Sequence, residues 1–145
     1  IYNQSRTQSK KVDLRGKIYL LGNLHTMPIA MFCAAKIYEV SGLDAHYAGM
    51  DQFSHMELFS ARKGDTVILF EEKNKHNSKL TVRLEKYGLH VVQMQPNTKN
   101  IQEIVLFFIF VSELIALYHA KKKNTKDCFF VRAKKLRDVS SSMIY

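Results

Sequence analysis

Apolar and polar positions alternate along the chain in short blocks that predict an ordered series of elements. Residues 17–21 (Lys-Ile-Tyr-Leu-Leu) form a compact apolar run closed by Gly22, the pattern of a buried strand. Gly22 to Met27 is predicted as a loop, and Pro28 is placed to open a helix because its missing N–H costs nothing in a first turn. From Ile29 to Val40 apolar residues fall at three- and four-residue steps, and Ser41-Gly42 ends that helix. Leu43 to Ala48 predicts a second strand, with 49–61 irregular or briefly helical. After a turn at Gly64-Asp65, residues 66–70 are continuously apolar, which suits a parallel strand covered on both faces. Asn77-Ser78 is predicted to cap a helix reaching Tyr87. Leu89 to Met94 is the next strand, and a long helix runs from Asn97-Thr98 to about Lys122. This alternation predicts an α/β fold with a mainly parallel sheet of four or five strands and helices on both faces.

The long helix holds eight consecutive apolar residues, 104–111, then five more, 114–118, with Ser112 and Glu113 between them. A membrane span needs about 20 apolar residues and pays heavily for a central charge. The helix is therefore expected in a core or a subunit interface, with no membrane partner.

Composition narrows the picture. The chain has 145 residues, expected to form a single domain, and only two cysteines, Cys33 and Cys128, too few for a disulfide scaffold or a four-cysteine zinc site. The net charge is +9, and it sits at the ends: a basic N-terminal segment, 1–16, and a basic tail, 121–145. These ends are expected to be solvated tails or a basic rim near an anionic ligand. Nothing matches a helix-turn-helix, zinc-finger or RNA-binding signature, so nucleic acid is an unlikely partner. The first 17 residues lack the apolar segment of a signal peptide, and a cytoplasmic location is expected. The chain starts at Ile1 and can be a piece of something longer.

In an α/β sheet ligands bind beyond the carboxyl ends of the strands. That rule selects Gly22 to Met27, Gly49 to Glu57 and Glu71 to Ser78. The last opens on Glu71-Glu72, two acids that would repel a phosphate, and no phosphate-binding glycine motif occurs anywhere. Glu39 ends an otherwise apolar helix three residues after Lys36, so the two share a face. They are either a surface ion pair or a carboxylate base beside a lysine. His55 lies in an irregular stretch past a strand end, where an imidazole can shuttle a proton near neutral pH. His25 and His46 are candidates on the same footing. No histidine spacing suits zinc, so no metal and no cofactor are expected. Cys33, on an apolar helix face, reads as a small buried hydrophobe.

Two segments carry a family resemblance. Gly22-Asn23-Leu24-His25-Thr26-Met27-Pro28-Ile29-Ala30 with Lys36-Ile37-Tyr38-Glu39-Val40-Ser41, followed by Gly49-Met50-Asp51-Gln52-Phe53-Ser54-His55, resembles the sugar isomerase (SIS) domain. The similarity is to the C-terminal SIS domain of glutamine–fructose-6-phosphate aminotransferases, over roughly 15–120. It implies a three-layer fold, a phosphosugar ligand and aldose–ketose isomerisation. In that resemblance Glu39 is the carboxylate that moves a proton between C1 and C2, and Lys36 is the lysine beside the sugar. His55 is the ring-opening histidine, contributed across a dimer. Asn23 and His25 fall on the first loop and are expected to touch substrate. The sequence departs from the family at Asn23-Leu24, where a Gly-Arg-Gly loop is expected, at Phe32 in place of an acid, and at Gln52 in place of a glutamate. Lys135 is the nearest counterpart of the family's terminal lysine. The phosphate loop belongs to a first SIS domain, so a homodimer or a partner SIS domain is implied. The alternative is a non-catalytic module that binds a sugar phosphate or dimerises.

Overall fold

The computed structural model describes residues 1–144. Four strands, β1 (Ile18–Leu21), β2 (Ala45–Ala48), β3 (Thr66–Leu69) and β4 (His90–Gln93), form one sheet in the order β2-β1-β3-β4. Every pairing is parallel, with Ile18 opposite both Ala45 and Thr66, and Thr66 opposite His90. All residues of the two central strands, β1 and β3, are buried, as expected for strands covered on both faces.

The pleat divides the core in two. Ile18, Leu20, Ile68 and Phe70 point to one side, where α2 (Met27–Ser41) and α5 (Ile101–Lys122) pack through Ile29, Cys33, Ile37, Phe107, Phe108 and Val111. Tyr19, Leu21, Val67 and Leu69 point to the other, against α3 (Met50–His55) and α4 (Lys75–Tyr87) through Phe53 and Leu84. The result is a three-layer α/β/α fold, as the sequence pattern predicts.

The element boundaries differ for local reasons. The helix α2 begins at Met27, one residue before Pro28, so the proline occupies an early position where no N–H is needed. Asn74, not Asn77, caps α4: the Asn74 side chain accepts the Asn77 N–H at 2.8 Å, and Asn77 is buried. Likewise Asn100 caps α5 by accepting from Gln102 and Glu103, three residues past the predicted start. The stretch 49–61 contains α3 and a short 3-10 turn, Glu57–Phe59.

The N-terminal segment is a correction. It is not a solvated tail, because Tyr2–Ser9 forms α1, packed along α5. Its buried face is made of Ser5 and Ser9, small polar residues that no hydrophobic pattern reveals. The Ser5 hydroxyl donates to the Phe107 carbonyl at 3.2 Å, and the Tyr2 ring meets Phe110 edge-on at 5.4 Å. Gln4 and Gln8 both donate to the Gln95 carbonyl at 2.7 Å, tying α1 to the end of β4. At the other end, α6 (Phe129–Arg132) and α7 (Lys134–Ile144) follow. Phe129 seats on Gly42, whose φ of 66° closes α2; a Cβ there would fall 2.6 Å from the ring, so no side chain fits. No residue of α7 is buried, Lys135 included.

The helix α5 is long and apolar enough to cross a membrane by length and composition, and under half of its apolar window is buried. Its inner face is core, with Ile104, Phe107, Phe108, Val111 and Ile115 buried; Leu106, Ile109 and Leu117 face outward.

A buried carboxylate joins the loops at the amino-terminal ends of the central strands β1 and β3. Asp65 is 7% exposed and accepts the Lys17 N–H at 2.9 Å and the Arg62 N–H at 2.8 Å. Asp65→Ala strands both donors, and each buried unpaired group costs about 1–3 kcal/mol. The expected result is a loss of about 2–5 kcal/mol in urea unfolding, with an unchanged m-value.

Candidate functional site

The helix α2 carries most of the candidate residues because one of its faces fits beside α5. Both helices start at the carboxyl ends of strands and run the same way, so Ile29 and Phe32 meet Val105 and Ile109, and Lys36 comes near Glu113. His25, Pro28, Ile29, Phe32, Val105 and Ile109 line a groove of about 300 Å³ between them.

Lys36 and Glu39 form the charged end of this face. The Lys36 ammonium donates to Glu39 Oε2 at 2.9 Å, lies 4.0 Å from Glu113 Oε1 and sits over the Phe32 ring at 5.6 Å. The hydrogen bond to Glu39 raises the Lys36 pKa above its usual value, outweighing the opposite effect of partial burial, and Glu113 adds to the rise. Lys36 is therefore a cation near neutral pH, suited to stabilising negative charge and not to removing protons. The Glu39 side chain is 43% exposed, so a ligand can reach it. Phe32, at the position where the resembling family has an acid, supplies an aromatic face to the lysine instead.

Glu113 is a site residue that the sequence reading did not assign. Its signal was the single acid inside the apolar run 104–118: the side chain is 52% exposed on the surface of α5 and comes within 4.0 Å of Lys36.

The other candidates are elsewhere. Asn23 and His25 lie on the loop after β1 at the start of α2, both exposed. His25 precedes Glu39 by fourteen residues, about 21 Å at the helical rise, longer than a hexose phosphate. One sugar in one copy of the chain does not touch both. His55 ends α3 and is exposed, on the sheet face opposite α2. Lys36 and Glu39 are thus brought together, while within one chain His55 is on the other side of the sheet. His46 is engaged with Asp44 at 2.7 Å on the edge strand.

Cys33 is fully buried on α2, and that burial pushes its thiol up to about 12. A thiol held protonated is a poor nucleophile. Iodoacetamide at pH 8 is expected to alkylate one cysteine per native chain, Cys128, which is partly exposed, and two after denaturation; mass spectrometry of the intact protein counts them.

No family model and no curated protein matches the chain. Solved structures do. Glucosamine-6-phosphate deaminase from Thermotoga maritima superposes with a TM-score of 0.73 at 16% identity, over 84% of this chain and 41% of that one. Tagatose-6-phosphate ketose/aldose isomerase from Escherichia coli gives 0.65 at 15% identity, over 81% and 39%. The C-terminal domain of glucosamine-fructose-6-phosphate aminotransferase from Francisella tularensis gives 0.55 at 15% identity, over 81% and 40%. The chain spans about two-fifths of the length of these proteins. These likenesses show the SIS-type fold.

Proposed function

We propose that the chain is a phosphosugar-binding SIS-type domain and that its Lys36–Glu39 pair performs aldose–ketose isomerisation. The observation that carries this reading is the 2.9 Å pair itself, an accessible carboxylate beside a lysine held cationic, at the helix end where the family resemblance puts the proton-transferring acid. Glu39 removes the proton from C2 of the open-chain aldose and returns it to C1. A proton moves from O2 to O1 in the same cycle, leaving the ketose. The Lys36 ammonium stabilises the negative charge that develops on the enediolate oxygen.

The reading also assigns work to a second copy of the chain or a partner SIS domain. His55 opens the sugar ring from across the interface, because its own sheet separates it from Glu39. The phosphate is held by the partner, because at the strand ends of this chain the Glu71 carboxylate accepts the Asn23 N–H at 2.8 Å and would repel a phosphate. The direct test incubates the protein with fructose 6-phosphate in D2O and follows deuterium at C2 of the aldose product by NMR. The expected result is enzyme-dependent incorporation. Ligand binding without incorporation would leave the non-catalytic module, a reading favoured by Phe32 in place of an acid. Light scattering with and without the sugar phosphate tests the dimer.

A further inference from the structure

The corner where β1 and β3 end presents donors to a negative charge, and the chain supplies that charge itself. This is the point where the chain leaves β1 toward β2 on one side while β3 and β4 lie on the other, the usual ligand crevice of an open α/β sheet. The Asn23 backbone N–H is shared between Glu71 Oε1 at 2.8 Å and the Thr26 hydroxyl oxygen at 2.9 Å, and the Thr26 hydroxyl lies 2.6 Å from the same Glu71 oxygen. That hydroxyl has one proton and also lies 2.8 Å from the Asn23 carbonyl; the shorter, charge-assisted contact takes it.

The loop holds its shape by bonds that do not involve Glu71. The Thr26 N–H donates to the Asn23 carbonyl at 2.8 Å, the Gly22 N–H to the Ala48 carbonyl at 3.2 Å, and the Met50 N–H to Asn23 Oδ1 at 3.1 Å. A Cβ on Gly22 would lie 2.7 Å from the Thr26 carbonyl oxygen, so the backbone turns too tightly for a side chain. Leu24 is kept at φ 43°, a strained value for a leucine. The loop itself therefore positions these donors, and Glu71 reaches them from the loop after the neighbouring strand, β3.

We infer that Glu71 is the specificity-determining residue of this corner: its carboxylate occupies the donors that an anionic ligand would use and bars phosphate from them. An oxygen of a phosphate monoester would need the same Asn23 N–H and Thr26 hydroxyl, at hydrogen-bond distance from a like charge.

The test is a titration of the 15N-labelled chain with inorganic phosphate, read at the Asn23 and Thr26 amides. The native protein is expected to show no saturable shift there. Glu71→Ala and Glu71→Ser are expected to bind phosphate at these amides at least about tenfold more tightly, a difference of about 1.4 kcal/mol. Adding Thr26→Val to Glu71→Ala is expected to remove the gain. Saturable phosphate binding at these amides in the native chain overturns the inference without any variant. So does a gain that is absent from both Glu71 variants, or one that survives Thr26→Val. The readout is binding at the β1 loop, not turnover at Glu39, so the failure of either proposal is recognised apart from the other.

Discussion

Replacing Glu39 by glutamine is expected to abolish deuterium incorporation at C2 and to lower the isomerisation rate by about 10²–10⁴-fold, the usual contribution of a positioned general base. Glutamine keeps the length and shape of the side chain and still accepts a hydrogen bond from Lys36, but it cannot take a proton. The loss should therefore fall on kcat, with KM for the sugar phosphate changed little. Stability should move by less than about 1 kcal/mol, because the ion pair that is weakened lies at the surface, with the two side chains 26% and 43% exposed. Lys36→Met separates the roles further: it leaves the base and removes the cation that stabilises the enediolate. An unchanged rate in Glu39→Gln would end the isomerase proposal, and the fold would stand without it.

How much of this was legible in the sequence depends on the kind of signal each part carries. The sheet was legible because β1 and β3 are covered on both faces, and burial on two sides leaves uninterrupted runs such as Val67-Ile68-Leu69-Phe70. The helix α2 was legible because Pro28 and Gly42 mark its ends. By contrast α1 buries two serines and is bonded through glutamines, so its sequence looks like that of a solvated segment. The cap of α4 was misplaced because 74–78 offers two asparagines and a serine, and only the backbone decides which one turns outward. Of the site, Lys36 and Glu39 could be paired from spacing alone, since residues three apart in an α-helix share a face. The sheet face of His55 could not: it follows from which side the short connection after β2 takes, and nothing in residues 49–56 states that side. Glu71 was legible as an acid hostile to phosphate. That it reaches across to the donors of the β1 loop depends on the pairing of β1 with β3, a contact between residues far apart in the chain.

The second large effect is expected in the core. Phe108→Ala should lower stability by about 3–5 kcal/mol, the cost of emptying a large buried aromatic site. Phe108 is fully buried, meets Phe70 edge-on at 5.5 Å and Phe107 at 5.2 Å, and so joins α5 to the end of β3. Ser112 donates back to its carbonyl at 2.9 Å, which keeps the hydroxyl satisfied within the helix and leaves the ring to pack. Against a total of about 5–15 kcal/mol, that loss removes a large share of the folding free energy. At about 2–4 °C per kcal/mol for a chain of this size, the melting temperature should fall by about 6–20 °C. Leu106→Ala, two residues away and 42% exposed, should change stability by about 0.5 kcal/mol or less. The contrast decides what α5 is. A helix surrounded by lipid would lose similar amounts at positions 106 and 108, since both would face hydrocarbon or a neighbouring helix. A helix seated on the sheet should lose heavily at 108 and hardly at 106. Equal effects at the two positions in thermal unfolding would contradict the core in which α2, the neighbour that carries Lys36 and Glu39, is held.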